Sequence, residues 1–258
     1  YIRMMAILKK IMHILLTTAL IATGQEALPA DAAMDEWVIL LHGLARSPSS
    51  MAKMEKHLAD AGFRVLNAGY PSRHRTIEEI AASSLPEAVM HCRERGAQRI
   101  HMVAHSMGGI VIRLYLKTHI LPELGRVVML SPPNAGSEVV DRLGGNLLFR
   151  WLNGPAGQQL GTGPENLPRR LGPADFELGI ITGDRSINLV LSSMIPGPDD
   201  GKVSVRRARL AGMKDFIIIH ATHPFIMRNQ EAIRQTLHFL RRGVFCRNGD
   251  GAPGSHTP

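Results

Sequence analysis

From Trp37 onward, short apolar runs alternate with longer stretches whose apolar residues recur every three or four positions. This rhythm constrains the fold more than any other property of the chain. Trp37–Leu41 (WVILL), Ile100–Ala104 (IHMVA), Val127–Leu130 (VVML) and Asp215–Ile219 (DFIII) are continuous apolar runs, the pattern of strands covered on both faces. Val65–Asn67 and Glu177–Ile181 supply two more. Between them lie segments of helical spacing: Pro48–Ala61, stopped by Gly62; Ile77–Arg95, which carries Pro86 and stops at Gly96; Met107 to about His119; and Phe225–Arg241. Strand and helix in regular alternation predict an α/β fold, a mostly parallel central sheet with helices on both faces. The chain has 258 residues, enough for one large domain. Aromatic residues are only 5% of it, so Leu, Ile, Val, Met and Ala must fill the core.

Both ends fall outside this rhythm. In residues 1–33, Lys9 and Lys10 precede the apolar stretch Ile11–Ala22, and small residues follow at Ala22–Gly24 and Ala30–Ala32. That is the layout of a signal peptide. The apolar run is shorter than the roughly 20 residues of a membrane span. Export to the periplasm or medium is the expectation; an uncleaved segment would instead anchor the chain to the inner membrane and give it a membrane association. Residues 34–245 are the expected α/β domain, and residues 246–258, rich in Gly and Pro, a flexible tail. Within the domain, residues 137–173 break the alternation. They carry Leu143, Leu147, Leu148, Phe149, Trp151 and Leu152 ahead of a Gly/Pro-rich run, a candidate lid or cap.

The net charge of +8 would suit an anionic partner, but the basic residues are spread along the chain, with one tight cluster at Arg206, Arg207 and Arg209. No zinc-finger spacing or aromatic-basic interleaving points to nucleic acid, and none is expected as a partner. The two cysteines, Cys92 and Cys246, form no disulfide framework and no metal-ligand spacing. Neither a metal nor an organic cofactor is expected. The sequence sets no oligomeric state.

The chemistry concentrates at Ala104-His-Ser-Met-Gly-Gly109, which follows a predicted strand and opens a predicted helix. A serine at so tight a turn projects its hydroxyl above the sheet edge, and the turn needs small neighbours, here Ala104 and Gly108. The free N–H groups of the helix start make the Met107 N–H a donor to an oxyanion formed when Ser106 attacks a carbonyl. A second donor is expected after the first strand, in Leu40-Leu-His-Gly-Leu44, where Gly43 permits close approach and the Leu44 N–H is the candidate. His42 would shape that loop.

A serine hydroxyl needs a base. His223, a few residues past the run Asp215–Ile219, lies at the same sheet edge as Ser106; His220 is its rival. His119 and His238 read as helix residues and His256 falls in the tail. For the acid, Pro196-Gly-Pro-Asp-Asp-Gly-Lys-Val203 offers Asp200 and Asp199, and Asp184 follows the run Glu177–Ile181.

Together, Leu41–Leu44 (LHGL), Ala104–Gly109 (AHSMGG) and Asp200–Val203 (DGKV) followed by His223 resemble the α/β-hydrolase superfamily, and within it the bacterial lipases and esterases. The resemblance runs over about Trp37–Arg241. It implies that the acid is the first residue of D-G-x-V, Asp200, and that the base is the His opening the last helical segment, His223. Ala104 departs from the commoner Gly. Ser131–Ser137 (SPPNAGS) resembles the entry to a lid. The implied function is hydrolysis of carboxylic esters, of small molecules or lipids, through Ser106, Asp200 and His223 with an acyl-enzyme intermediate. An acyltransferase or thioesterase would use the same residues, and a binding module on this fold would use none of them.

Overall fold

A computed structural model describes residues 35–247. The expected signal segment and all of the expected tail beyond Arg247 lie outside the described residues.

Six strands form one sheet: β1 Glu36–Leu41, β2 Arg64–Ala68, β3 Arg99–His105, β4 Leu124–Leu130, β5 Leu178–Gly183 and β6 Asp215–Ile219. Their order is β2-β1-β3-β4-β5-β6 and every neighbouring pair is parallel. Successive side chains of a strand point to opposite faces, and the core divides accordingly. Trp37, Ile39, Leu41, Met102, Ala104 and Met129 pack on one side with helices α2 (Ile77–Arg93) and α3 (Met107–Thr118). Val38, Leu40, Val103, Val128, Leu130 and Ile181 pack on the other with α1 (Ala52–Asp60) and the last helix, Gln230–Arg242.

Helix α2 starts on a capping box: the Thr76 side chain accepts from Glu79 N, and the Glu79 carboxylate accepts from Thr76 N. It continues through Pro86. Pro48–Met51 is a 3-10 turn rather than the first turn of α1. The last helix also begins later than its apolar spacing predicts. Ile226–Arg228 forms a 3-10 turn, and the Asn229 side chain then accepts from Glu231 N and Ala232 N to start the α-helix at Gln230. A side chain that satisfies free N–H groups fixes a helix start where apolar periodicity alone does not. Gly243, at φ 74°, ends that helix.

Residues 137–173 hold three short helices: α4 Glu138–Leu143, α5 Leu147–Gln158 and α6 Leu167–Arg170. The segment is divided in character. Ala156, Leu160, Leu167 and Leu171 belong to the core, whereas Leu147, Leu148, Trp151 and Leu152 are exposed. The break comes at Gly154, at φ 62°, where a Cβ would stand 1.9 Å from the Arg73 carbonyl oxygen. Helices α7 Leu189–Ser192 and α8 Val205–Ala208 are single turns, and α9 is Gln230–Arg242.

Arg113 of α3 ties this segment to the sheet. Its buried guanidinium donates to Asn134 O (3.0 Å), Asn134 Oδ1 (3.2 Å), Pro168 O (3.0 Å) and Gly172 O (2.7 Å). Burial lowers its pKa to about 10. Arg113→Met fills similar space but leaves those acceptors dry, so urea unfolding is expected to show a loss of about 3 kcal/mol or more.

The thiols of Cys92 and Cys246 are both free, and burial pushes that of Cys92 up to about 12. Cys246 and Arg247 are held in place: Cys246 exchanges hydrogen bonds with Gln235, and Arg247 pairs with Asp215. Among the described residues no helix is long and apolar enough to cross a membrane.

Candidate active site

Ser106 stands between the end of β3 and the start of α3, at φ 53° and ψ −122°. This is backbone that side-chain-bearing residues rarely adopt. The turn is held from beneath by Ser106 N, which donates to Leu130 O of the adjacent strand at 2.8 Å. Its neighbours have no room for larger side chains. A Cβ on Gly108 would lie 2.9 Å from the His42 carbonyl oxygen, and one on Gly109 3.0 Å from Met129 Sδ. Ala104 is fully buried.

His223 follows β6 and is 4% exposed; Asp200, on the loop between α7 and α8, is 0% exposed. The His223 Nδ1 is 2.8 Å from Asp200 Oδ2, and its Nε2 is 3.0 Å from Ser106 Oγ. A carboxylate only accepts, so Nδ1 carries the proton and Nε2 is left to accept from the serine hydroxyl. Burial works against ionisation of Asp200, but electrostatic attraction to the His223 ring, the hydrogen bond from it and the Val203 N–H outweigh it and hold the carboxyl below its usual range. Its second oxygen, Oδ1, accepts from Lys202 N (3.0 Å) and Val203 N (2.9 Å). The backbone locks the same pair, with His223 N donating to Asp200 O at 2.9 Å.

The rival residues are elsewhere. Asp199 faces away from His223: its carboxylate accepts from Ser192 Oγ (2.5 Å) and Gly201 N (2.7 Å), which shapes the turn. Asp184 and His220 pair with one another, at 2.9 Å between Oδ1 and Nδ1, and the His220 side chain is 82% exposed. His119 caps the end of α3 and stacks on Tyr115. His238 lies on α9 and meets Val244 O. His256 lies outside the described residues.

Of the two expected oxyanion donors, Met107 directly follows the serine and Leu44 follows the glycine that packs against it. Met107 is the first residue of α3, so its N–H has no acceptor within the helix. Leu44 follows Gly43, whose backbone lies so close that a Cβ there would be 3.2 Å from Ser106 Cβ and 2.7 Å from His105 Nδ1.

Two supporting residues have no signal in the sequence. Tyr70 stacks on the His42 ring, with centroids 4.0 Å apart, and its hydroxyl donates to the His42 carbonyl, fixing the peptide ahead of Gly43. Burial lowers the His42 pKa, so the ring stays neutral. His105 is buried beside Ser106, and its Nε2 donates to His223 O at 3.0 Å. Burial holds that ring neutral as well, with its pKa well below the ordinary value. Among the described residues no group of three or more His, Cys, Asp or Glu side chains is placed to hold a metal ion.

The fold that carries this serine is matched by known proteins. The family model for the alpha/beta hydrolase fold covers residues 36–161. The chain is an α/β-hydrolase-fold protein. Solved structures of the same fold resemble it over most of its length. A Bacillus licheniformis lipase, BlEst2 in its mature form, aligns with a TM-score of 0.66 and 19% identity, covering 84% of this chain and 94% of that one. The phospholipase PlaB of Legionella pneumophila aligns with a TM-score of 0.62 and 17% identity over 80% of this chain and 57% of that one. A monoacylglycerol lipase of Paleococcus ferrophilus gives 0.52 and 18%, over 80% and 94%. A search of curated proteins finds no match. At these identities the likeness of this α/β-hydrolase-fold protein to solved structures is one of fold, and its chemistry has to be argued from its own side chains.

Proposed function

We propose that this α/β-hydrolase-fold protein is a serine hydrolase of carboxylic esters, with Ser106 as nucleophile, His223 as base and Asp200 as the acid that orients it. The observation that carries this reading is the unbroken buried chain Ser106 Oγ–His223 Nε2 at 3.0 Å and His223 Nδ1–Asp200 Oδ2 at 2.8 Å. The fold is a supporting fact, since lipases and an esterase share it.

In this mechanism His223 Nε2 takes the Ser106 proton as Oγ adds to the ester carbonyl. Asp200 stays ionised and stabilises the imidazolium. The N–H groups of Leu44 and Met107 receive the oxyanion. His223 then protonates the leaving alcohol, which departs as the C–O bond breaks. A water molecule, deprotonated by His223, attacks the acyl-enzyme and releases the acid and free Ser106. The small residues at Gly43, Gly108 and Ala104 let the serine, donors and sheet edge come this close. The exposed Leu147, Leu148, Trp151 and Leu152 offer an apolar surface for an acyl chain.

The direct test is a fluorophosphonate probe followed by peptide mass spectrometry, together with a series of p-nitrophenyl esters of rising acyl length. One label per chain, on the peptide containing Ser106, and turnover of at least the short esters are expected. A folded protein that takes no label and turns over no ester in the series overturns the reading.

A further inference from the structure

A second polar cluster adjoins the proposed catalytic site without belonging to it. The loops that follow β5 and β6 border a cleft of about 490 Å³, with Arg185 and Ile187 contributed by the first loop and His220, Phe225 and Arg228 by the second. The loops are braced against each other: Arg185 N donates to Ala221 O at 3.3 Å. Both guanidiniums belong to exposed residues, and neither has an ion-pair or hydrogen-bond partner among the described residues. Residues 183–187 and 219–229 contain a single carboxylate, Asp184, and it is engaged by His220 Nδ1 at 2.9 Å. Lys53 adds a further cation, its Nζ donating to Arg228 O at 3.0 Å.

Arg185, Arg228 and Lys53 outnumber that one carboxylate, so the cleft carries an excess of positive charge, which attracts anions. Guanidinium forks match oxyanions in geometry as well as charge, and two of them on one cleft suit a group with several acceptor oxygens. The lip has the opposite character. Ile187 is 67% exposed and Phe225 53%. A cationic cleft under an apolar lip is complementary to a molecule that carries both an anion and hydrocarbon.

We propose that this cleft binds the phosphate group of an amphiphile, with the hydrocarbon lying against Ile187 and Phe225. Arg185 and Arg228 take the phosphate oxygens and His220 lies beside them. The claim is one of binding and stands independently of the role given to Ser106.

The test uses the full chain as Ser106→Ala, so that no ligand is consumed, with nitrogen-15-labelled histidine to follow the His220 ring. Three probes are titrated: inorganic phosphate, dihexanoyl phosphatidylglycerol below its micellar concentration, and uncharged octyl glucoside. Saturable displacement of the His220 signals by phosphatidylglycerol is expected, with binding about tenfold or more weaker once Arg185→Gln and Arg228→Gln remove the charged contacts. Inorganic phosphate should bind at the same residues but more weakly, because it lacks the apolar contact. Binding of phosphatidylglycerol that is unchanged in the folded double variant, equal binding of inorganic phosphate and the lipid, or no saturable shift with either overturns the proposal.

Discussion

Ser106→Ala is expected to lower kcat for p-nitrophenyl esters by on the order of a millionfold while leaving the fold unchanged, as removal of a nucleophile does when it acts as a unit with its base. The methyl group fits the space of the hydroxymethyl, and the Ser106 N to Leu130 O hydrogen bond (2.8 Å) is retained. Near-ultraviolet circular dichroism and the thermal transition should therefore match the parent. Any residual rate above that of water would come from the donors at Leu44 and Met107 and from substrate binding. Turnover within a factor of about ten of the parent would remove Ser106 from the mechanism, since tenfold is only about 1.4 kcal/mol, the size of one ordinary contact and far short of a lost nucleophile.

The second large effect is assigned to Asp200. Asp200→Asn replaces an acceptor by an amide at the atom 2.8 Å from His223 Nδ1, which favours the wrong imidazole tautomer. A loss of about ten-thousandfold in kcat is expected. Asp184→Asn, whose carboxylate pairs with His220 and not with His223, should leave kcat near the parent value. If the Asp184 variant lost activity and the Asp200 variant kept it, the acid would be misassigned. The same carboxyl links stability to acidity. Its folded pKa is depressed below the ordinary value of 3.8, so its contribution is present above that value and fades as pH falls through the lower folded value. Acid unfolding of Asp200→Asn should lack that component.

Much of the frame was legible because parallel strands buried on both faces leave unbroken apolar runs. All six strands lie where such runs were expected, with ends displaced by a residue or a few. The start of the last helix was not legible, because Ile226 and Met227 are buried core residues whether their turn is 3-10 or α. The serine turn could be read from Ala104–Gly109, since its constraints are local: small residues at a strand-to-helix junction. The acid could be narrowed only by resemblance. Asp199 and Asp200 are adjacent and alike, and what separates them is the direction in which a turn through Gly201, at φ 98°, points each carboxylate. The contact from His105 to the His223 carbonyl joins residues 118 positions apart. The stacking of Tyr70 on His42 and the carbonyl ring around Arg113 likewise depend on long-range packing, and no local pattern encodes them.

The backbone at Ser106 has a consequence beyond placing a hydroxyl. Ser106, Ala45 and Ser131 are the non-glycine residues with positive φ among those described, at 53°, 54° and 49°, and all three lie at the carboxyl edge of the sheet. Backbone of this kind holds roughly 1–3 kcal/mol each, and glycine would adopt it freely. Selection for heat resistance alone would therefore favour glycine at all three positions and would erase the nucleophile along with the others. An engineer searching this protein for thermostable variants by melting temperature alone would be drawn toward Ser106 and should exclude it from the library.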